Sequence, residues 1–288
     1  MEATRKATFA GLLAILLWSS LALLTVATDG LPPFHIPSPS PWPAESALAR
    51  AMLRGSAGRA ELRQPASALA LSTAALFGYH ALYFIALKRA PAVEANLLNY
   101  LWPLLIVVFA GFLPGVRIAP LQWLGTLLGL GAAILLVTGG QRLDVSAQHL
   151  PGYLTAVTAA LVWAAYSVLN RRHAQVPSAA ITVACLCVAA LGTLVHVLFE
   201  RSIAPTPLQW GALLLMGIGP TGAAFWLWDT GTKRGDIALL GSLSYLAPLL
   251  STALLLLSGR AQPHPVQAVA LALLLVGAWL STRRRRRG

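Results

Sequence analysis

Apolar residues run along this chain in blocks of about 20, separated by short polar or basic joints, and each block is long enough for an α-helix to cross the hydrocarbon core of a bilayer. Such blocks lie at roughly 9–28, 67–87, 92–113, 120–140, 150–170, 178–199, 207–228, 236–257 and 264–282. They predict nine membrane-spanning helices, with a tenth candidate between the first two. No small-residue cleavage pattern closes the first block before Asp29, so it reads as a retained span and not as a signal peptide.

The tenth candidate is interrupted. The stretch HIPSPSPWPAESALARAML carries four prolines from Pro37 to Pro43. Proline removes a backbone donor and clashes with the preceding turn, and unmet backbone groups are not tolerated against lipid. Three readings of residues 35–53 stand side by side: an extended loop that leaves nine spans, an irregular half-span shielded by neighbours, or a frame-slipped stretch whose adjacent reading frame encodes an apolar segment.

A repeat runs through the whole chain at a constant shift of 145 residues. It carries Trp18 to Trp163, Lys88 and Arg89 to Lys233 and Arg234, and Tyr100 to Tyr245. It also carries Leu101, Pro103, Leu104 and Leu105 to Leu246, Pro248, Leu249 and Leu250, and Pro120 and Gln122 to Pro265 and Gln267. Matches at Trp, Tyr, Pro and Gln do not follow from a Leu- and Ala-rich composition. The chain therefore divides into repeats at 1–142 and 143–288. Five spans in each, an odd number, make the second repeat enter the membrane from the opposite side, as in many secondary transporters.

Composition agrees with lipid as the solvent. Of the 288 residues, 57% are hydrophobic and 10% charged, against about 25% charged in soluble domains, and the mean hydropathy is +0.70. The formal net charge of +12 would suggest nucleic acid in a soluble protein. Here the basic residues sit in the joints, where they set topology. With ten spans and both termini cytoplasmic, 16 Lys and Arg lie inside and 5 outside, the Arg283–Arg287 tail being the strongest anchor. Cys185 and Cys187 stand two apart on one apolar helix, which favours neither a disulfide nor a metal pair.

Two matching stretches carry the candidate chemistry. In LLNYLWPLL, Asn99, Tyr100 and Trp102 precede Pro103, whose missing donor loosens the helix near residue 99. The freed carbonyl and the amide then suit a zwitterionic ligand, as at the interrupted helices of transporters. In SLSYLAPLL, Ser244, Tyr245 and Pro248 repeat the arrangement. Aromatic residues gather on neighbouring spans: Phe77, Tyr79, Tyr83 and Phe84; Trp163 and Tyr166; Phe225, Trp226 and Trp228; and Trp18, which the repeat pairs with Trp163. Each suits an interfacial belt or a cavity wall. The same-face spacing of Tyr79 with Tyr83 and of Trp163 with Tyr166 favours the wall. His80 reads either as a proton sensor or as a neutral histidine bonded to a neighbouring helix, and His196 as structural or interfacial. Asp229 is expected to pair with Lys233, or to form a gating contact, and Glu94 to pair with Lys88 or Arg89. Gly125, Gly129, Ala132 and Ala133 suit close helix packing.

The stretches AILLWSS, NYLWPLLIVVFA, LVWAAYSVLNRR and GSLSYLAPLLSTAL resemble the drug/metabolite transporter superfamily, its EamA-type branch, and within it the exporters of aromatic amino acids. The resemblance covers nearly the whole chain except residues 35–53. It implies an all-α membrane protein of about ten helices in two inverted five-helix repeats, a central cavity, and export across the bacterial inner membrane by alternating access. The expected function is export of aromatic and other hydrophobic amino acids, with broad drug or metabolite export as the alternative. The expected partners are a small-molecule substrate and the lipid bilayer. No cofactor, metal or nucleic acid is expected; the oligomeric state is left open, a monomer being compatible with the sequence.

An enzyme reading lacks HExxH, GxSxG, paired intramembrane carboxylates and a Cys/His metal set. A channel reading lacks a charged ring or polar stripe. No carboxylate lies deep in a span, the usual mark of proton coupling, so proton-coupled export and facilitated diffusion both stand open.

Overall fold

The computed structural model describes residues 2–31, 60–142, 146–260 and 262–282. The proline-rich stretch 35–53 and the Arg283–Arg287 tail lie outside the described residues. In chain order the helices are α1 Glu2–Ser19, α2 Leu21–Ala27, α3 Ala66–Arg89, α4 Ala92–Asn99, α5 Trp102–Ala110, α6 Pro120–Thr138, α7 Leu150–Leu169, α8 Ile181–Phe199, α9 Pro207–Ile218, α10 Ala224–Arg234, α11 Ile237–Leu243, α12 Leu246–Leu257 and α13 Pro265–Thr282. Among the described residues, nine helical segments are long and apolar enough to cross a membrane. They coincide with the nine apolar blocks of the sequence.

Several spans are composite, each for a local reason. Between α1 and α2, the hydroxyls of Ser19 and Ser20 bond back to the carbonyls of Leu16 and Leu17 at 2.6 and 2.7 Å, a competition with the main-chain ladder that bends helices. Between α9 and α10, Pro220 cannot join the ladder, and Gly219–Ala223 forms a π-helical turn. There the Thr221 hydroxyl donates to the Met216 carbonyl at 2.9 Å. The Pro103 and Pro248 segments each part a span into two helices, α4 from α5 and α11 from α12.

The chain forms two compact units, Met1–Phe77 with Asn170–Arg234, and Gly78–Leu169 with Gly235–Gly288. Each draws helices from both sequence repeats. In the first unit, α1 packs along α10 and α2 along α9. Buried apolar residues such as Ile15, Met216 and Trp228 form its interior. A capping box between Thr206 and Gln209 starts α9, and the Gln209 amide also donates to the Asp29 carbonyl at 2.9 Å. At the far end of α8, His196 stands between the Glu200 carboxylate and the Ser202 hydroxyl, both at 2.9 Å.

In the second unit, α6 and α13 cross closely through small residues, as the sequence suggests. A Cβ on Gly277 would stand 2.6 Å from the Gly125 carbonyl, and one on Gly125 would overlap the Gly277 carbonyl and the Ser281 hydroxyl. Only glycine permits this approach. Gly277→Val is expected to part the helices and cost at least about 1–3 kcal/mol, the scale of overpacking, read as a lower melting temperature in detergent. Gly131→Ala meets nothing within 4 Å and serves as the control; it is expected to hold stability or raise it by up to about 1 kcal/mol.

Candidate functional site

Two ring clusters are built, one in each unit, around Trp18 and Trp163, the pair that the 145-residue shift relates. In the first unit, Trp18 meets Trp228 and Phe225 with centroids 5.1 and 6.1 Å apart. Its indole N–H donates to the Pro220 carbonyl at 2.9 Å, an acceptor at the π-helical turn. In the second unit, Trp163 on α7 meets Tyr79 on α3 at 5.2 Å, Tyr166 at 5.6 Å and Trp102 on α5 at 6.4 Å. The first cluster is made of indoles and a phenyl ring. The second adds phenols and amides, and so has the polar groups that orient a ligand.

The hub of the second cluster is Tyr79. Its ring stacks with Tyr83 at an interplanar angle of 5° and a centroid distance of 6.2 Å, the geometry expected one helical turn apart. Its hydroxyl accepts from the Asn99 side-chain amide at 3.1 Å. Tyr83 donates to the Asn96 side-chain oxygen. His80 lies edge-on to Tyr79 at 5.1 Å and near Phe84 at 6.4 Å. Tyr79, His80, Tyr83 and Phe84 are half-buried, whereas Trp102, Trp163, Tyr166 and Asn99 are buried. Two of the phenols, Tyr79 and Tyr83, therefore keep partly exposed faces, whereas Tyr166 and the indoles are packed.

The break in the α4–α5 span puts Asn99 in this cluster. Asn99 ends α4, Tyr100 follows it with its N–H on the Asn96 carbonyl at 2.9 Å, and α5 resumes at Trp102. Pro103 falls in the first turn of α5, where a missing N–H costs least. The Asn99 carbonyl thereby lacks the donor four residues on.

Of the residues singled out from sequence, the second unit brings together Tyr79, His80, Tyr83, Asn99, Trp102, Trp163 and Tyr166. Trp18 belongs to the first unit's own cluster. Ser244 and Tyr245 occupy the matching break between α11 and α12, but both are fully buried in packing. The Ser244 hydroxyl returns to the Leu240 carbonyl at 2.7 Å. The Tyr245 ring lies over Gly129, whose Cβ would stand 2.6 Å from it, among Ala132, Ala133, Ala270 and Leu274.

A second polar group lies in the first unit. Asp229 and Lys233, one turn apart in α10 and both buried, form an ion pair at 2.9 Å. The Asn170 amide donates to the Asp229 carboxylate at 2.8 Å and to the Thr232 hydroxyl at 3.2 Å. Lys233 also donates to the Val176 carbonyl at 3.2 Å, and Arg171 to the Thr232 carbonyl at 3.0 Å. The helix runs on to Arg234, so Asp229 sits within the last turns and not at an exposed end. Asn170 is the member that sequence reasoning missed; its signal is the polar residue that opens NRR just after an apolar span. No ion pair joins Glu94 to Lys88 or Arg89 among the described residues.

These features define a multi-pass helical membrane protein with an aromatic cluster at an interrupted helix. The chain belongs to the EamA-like transporter family, which matches it twice, over residues 5–138 and 150–283. The second match begins and ends where the internal shift carries the first. Among curated relatives, the aromatic amino acid exporter YddG of Ancylobacter novellus is 46% identical over 283 residues, covering 98% of this chain and 99% of that protein. The aromatic amino acid exporter YddG of Escherichia coli is 29% identical over 301 residues, covering 97% and 99%. One crystal structure superimposes with a TM-score of 0.91 at 45% identity over 96% of each chain.

Proposed function

We propose that this chain exports aromatic and other hydrophobic amino acids across the bacterial inner membrane, and that the ring cluster around Tyr79 holds the substrate. The observation that carries the reading is a half-buried pair of stacked phenols, backed by buried indoles and joined to an amide at a helix break. Apolar faces with a few fixed polar groups suit an aromatic solute. The names of the relatives point the same way. Export proceeds by alternating access between inverted repeats at 1–142 and 143–288, with both termini cytoplasmic; the excess of basic residues in the joints assigned to that side supports this topology.

The test is transport of radiolabelled phenylalanine and threonine by purified protein in liposomes. Phenylalanine transport is expected to saturate and to exceed threonine transport by at least about tenfold at equal low concentration, a difference of about 1.4 kcal/mol in transition-state stabilisation. Equal rates for the two would refute aromatic selectivity. An imposed pH gradient that changes the phenylalanine accumulation ratio would mark proton coupling, and an unchanged ratio would mark facilitated diffusion.

A further inference from the structure

The cluster around Tyr79 contains an acceptor that no described group uses. Asn99 is 6% exposed, and its side-chain nitrogen is engaged by the Tyr79 hydroxyl at 3.1 Å. Its Oδ1 is buried without a hydrogen-bond partner. A buried acceptor left unmet is costly, and buried polar groups are normally paired. This unpartnered oxygen is therefore a place for a donor that the described fold does not supply. The main chain has the same polarity at this residue, because Pro103 offers no N–H to the Asn99 carbonyl. Tyr79, its partner, stacks with Tyr83 and meets the Trp163 indole, and aromatic faces attract cations. The cluster holds no Lys or Arg to pair with a carboxylate, and its one imidazole, His80, lies edge-on to the Tyr79 ring and near Phe84.

We propose that Asn99 Oδ1, together with these ring faces, selects a ligand by its protonated amino group and not by its carboxylate. Primary aromatic amines that lack a carboxylate are then ligands of this chain alongside aromatic amino acids. The inference rests on the reading that the Tyr79 cluster is the substrate site. The ammonium supplies the missing donor to Oδ1 as a charge-assisted hydrogen bond, and the aryl ring covers the half-buried phenols.

The test is calorimetric titration of the full chain in detergent with phenylalanine, phenethylamine and 3-phenylpropionate. Phenethylamine is expected to bind within about tenfold of phenylalanine, and 3-phenylpropionate at least about 30-fold more weakly than phenethylamine, since it has a ring and a carboxylate but no ammonium donor. In Asn99→Leu, the preference of amine over acid is expected to fall to about threefold or less. The ligand series on the unaltered protein decides the question even if this variant does not fold. Binding of 3-phenylpropionate as tight as that of phenethylamine would overturn the proposal. Binding of phenylalanine without phenethylamine would overturn it too, while leaving amino acid export standing. Binding of phenethylamine without phenylalanine would uphold amine selection and remove the amino acid reading; failure of all three would remove both.

Discussion

Tyr79→Ala is expected to lower phenylalanine transport at sub-saturating concentration by about 30-fold, the equivalent of about 2 kcal/mol in lost aromatic contact and ligand burial. Tyr79 is the residue through which the site is joined: it stacks on Tyr83, meets the Trp163 indole at 5.2 Å and receives the Asn99 amide at 3.1 Å. It is also half-buried, so its truncation is expected to cost folding less than loss of the buried Trp163 or Tyr166 would. Tyr79→Phe separates the ring from its hydroxyl. It keeps the stacking and frees the Asn99 amide nitrogen, so transport is expected to fall by only about three- to tenfold, the scale of one hydrogen bond. Measured in liposomes with the melting temperature followed alongside, equal losses for Ala and Phe would show that the hydroxyl and not the ring carries the effect. Undiminished transport in both would exclude this cluster as the site.

Much of this was legible in sequence because lipid simplifies the code. A span must satisfy its backbone internally, so nine apolar blocks became nine helical spans, with ends displaced by a few residues. The proline breaks were legible for the same reason: Pro103 and Pro248 each remove a donor, and each parts a span into two helices. Within one helix, periodicity also sufficed, and the same-face pairs Tyr79 with Tyr83 and Trp163 with Tyr166 are in ring contact.

Contacts between helices were not legible. Nothing local tells that Trp163 meets Tyr79, or that Trp18 faces Trp228. The repeat also made Tyr100 and Tyr245 look equivalent, although what lies opposite decides their roles: Tyr245 is seated on Gly129, a residue 116 positions earlier in the chain. The π-helical turn at Gly219–Ala223 was hidden as well, because a proline inside an apolar run predicts a kink without fixing its form.

Asp229→Ala is expected to destabilise the protein by about 3–5 kcal/mol, because removing one partner of a buried ion pair strands the other charge. The Asp229 side chain is 1% exposed and that of Lys233 4%, so water cannot take the place of the lost carboxylate. Two groups lose it at once: the Lys233 ammonium, left with the Val176 carbonyl, and the Asn170 amide, left with the Thr232 hydroxyl. The pair and its amide tie α10 to the 3₁₀ turn Asn170–His173 that follows α7, so the loss is expected to loosen the first unit and not only one side chain. The double variant Asp229→Leu, Lys233→Met removes both charges and keeps the volume, and it is expected to recover most of the stability, since an apolar pair avoids the desolvation penalty. Melting temperatures of the three proteins in one detergent distinguish the cases. A single variant as stable as the unaltered protein would show that the pair contributes nothing to folding. A double variant as unstable as the single one would place the contribution in the carboxylate's bond to Asn170 and not in the pairing of charges.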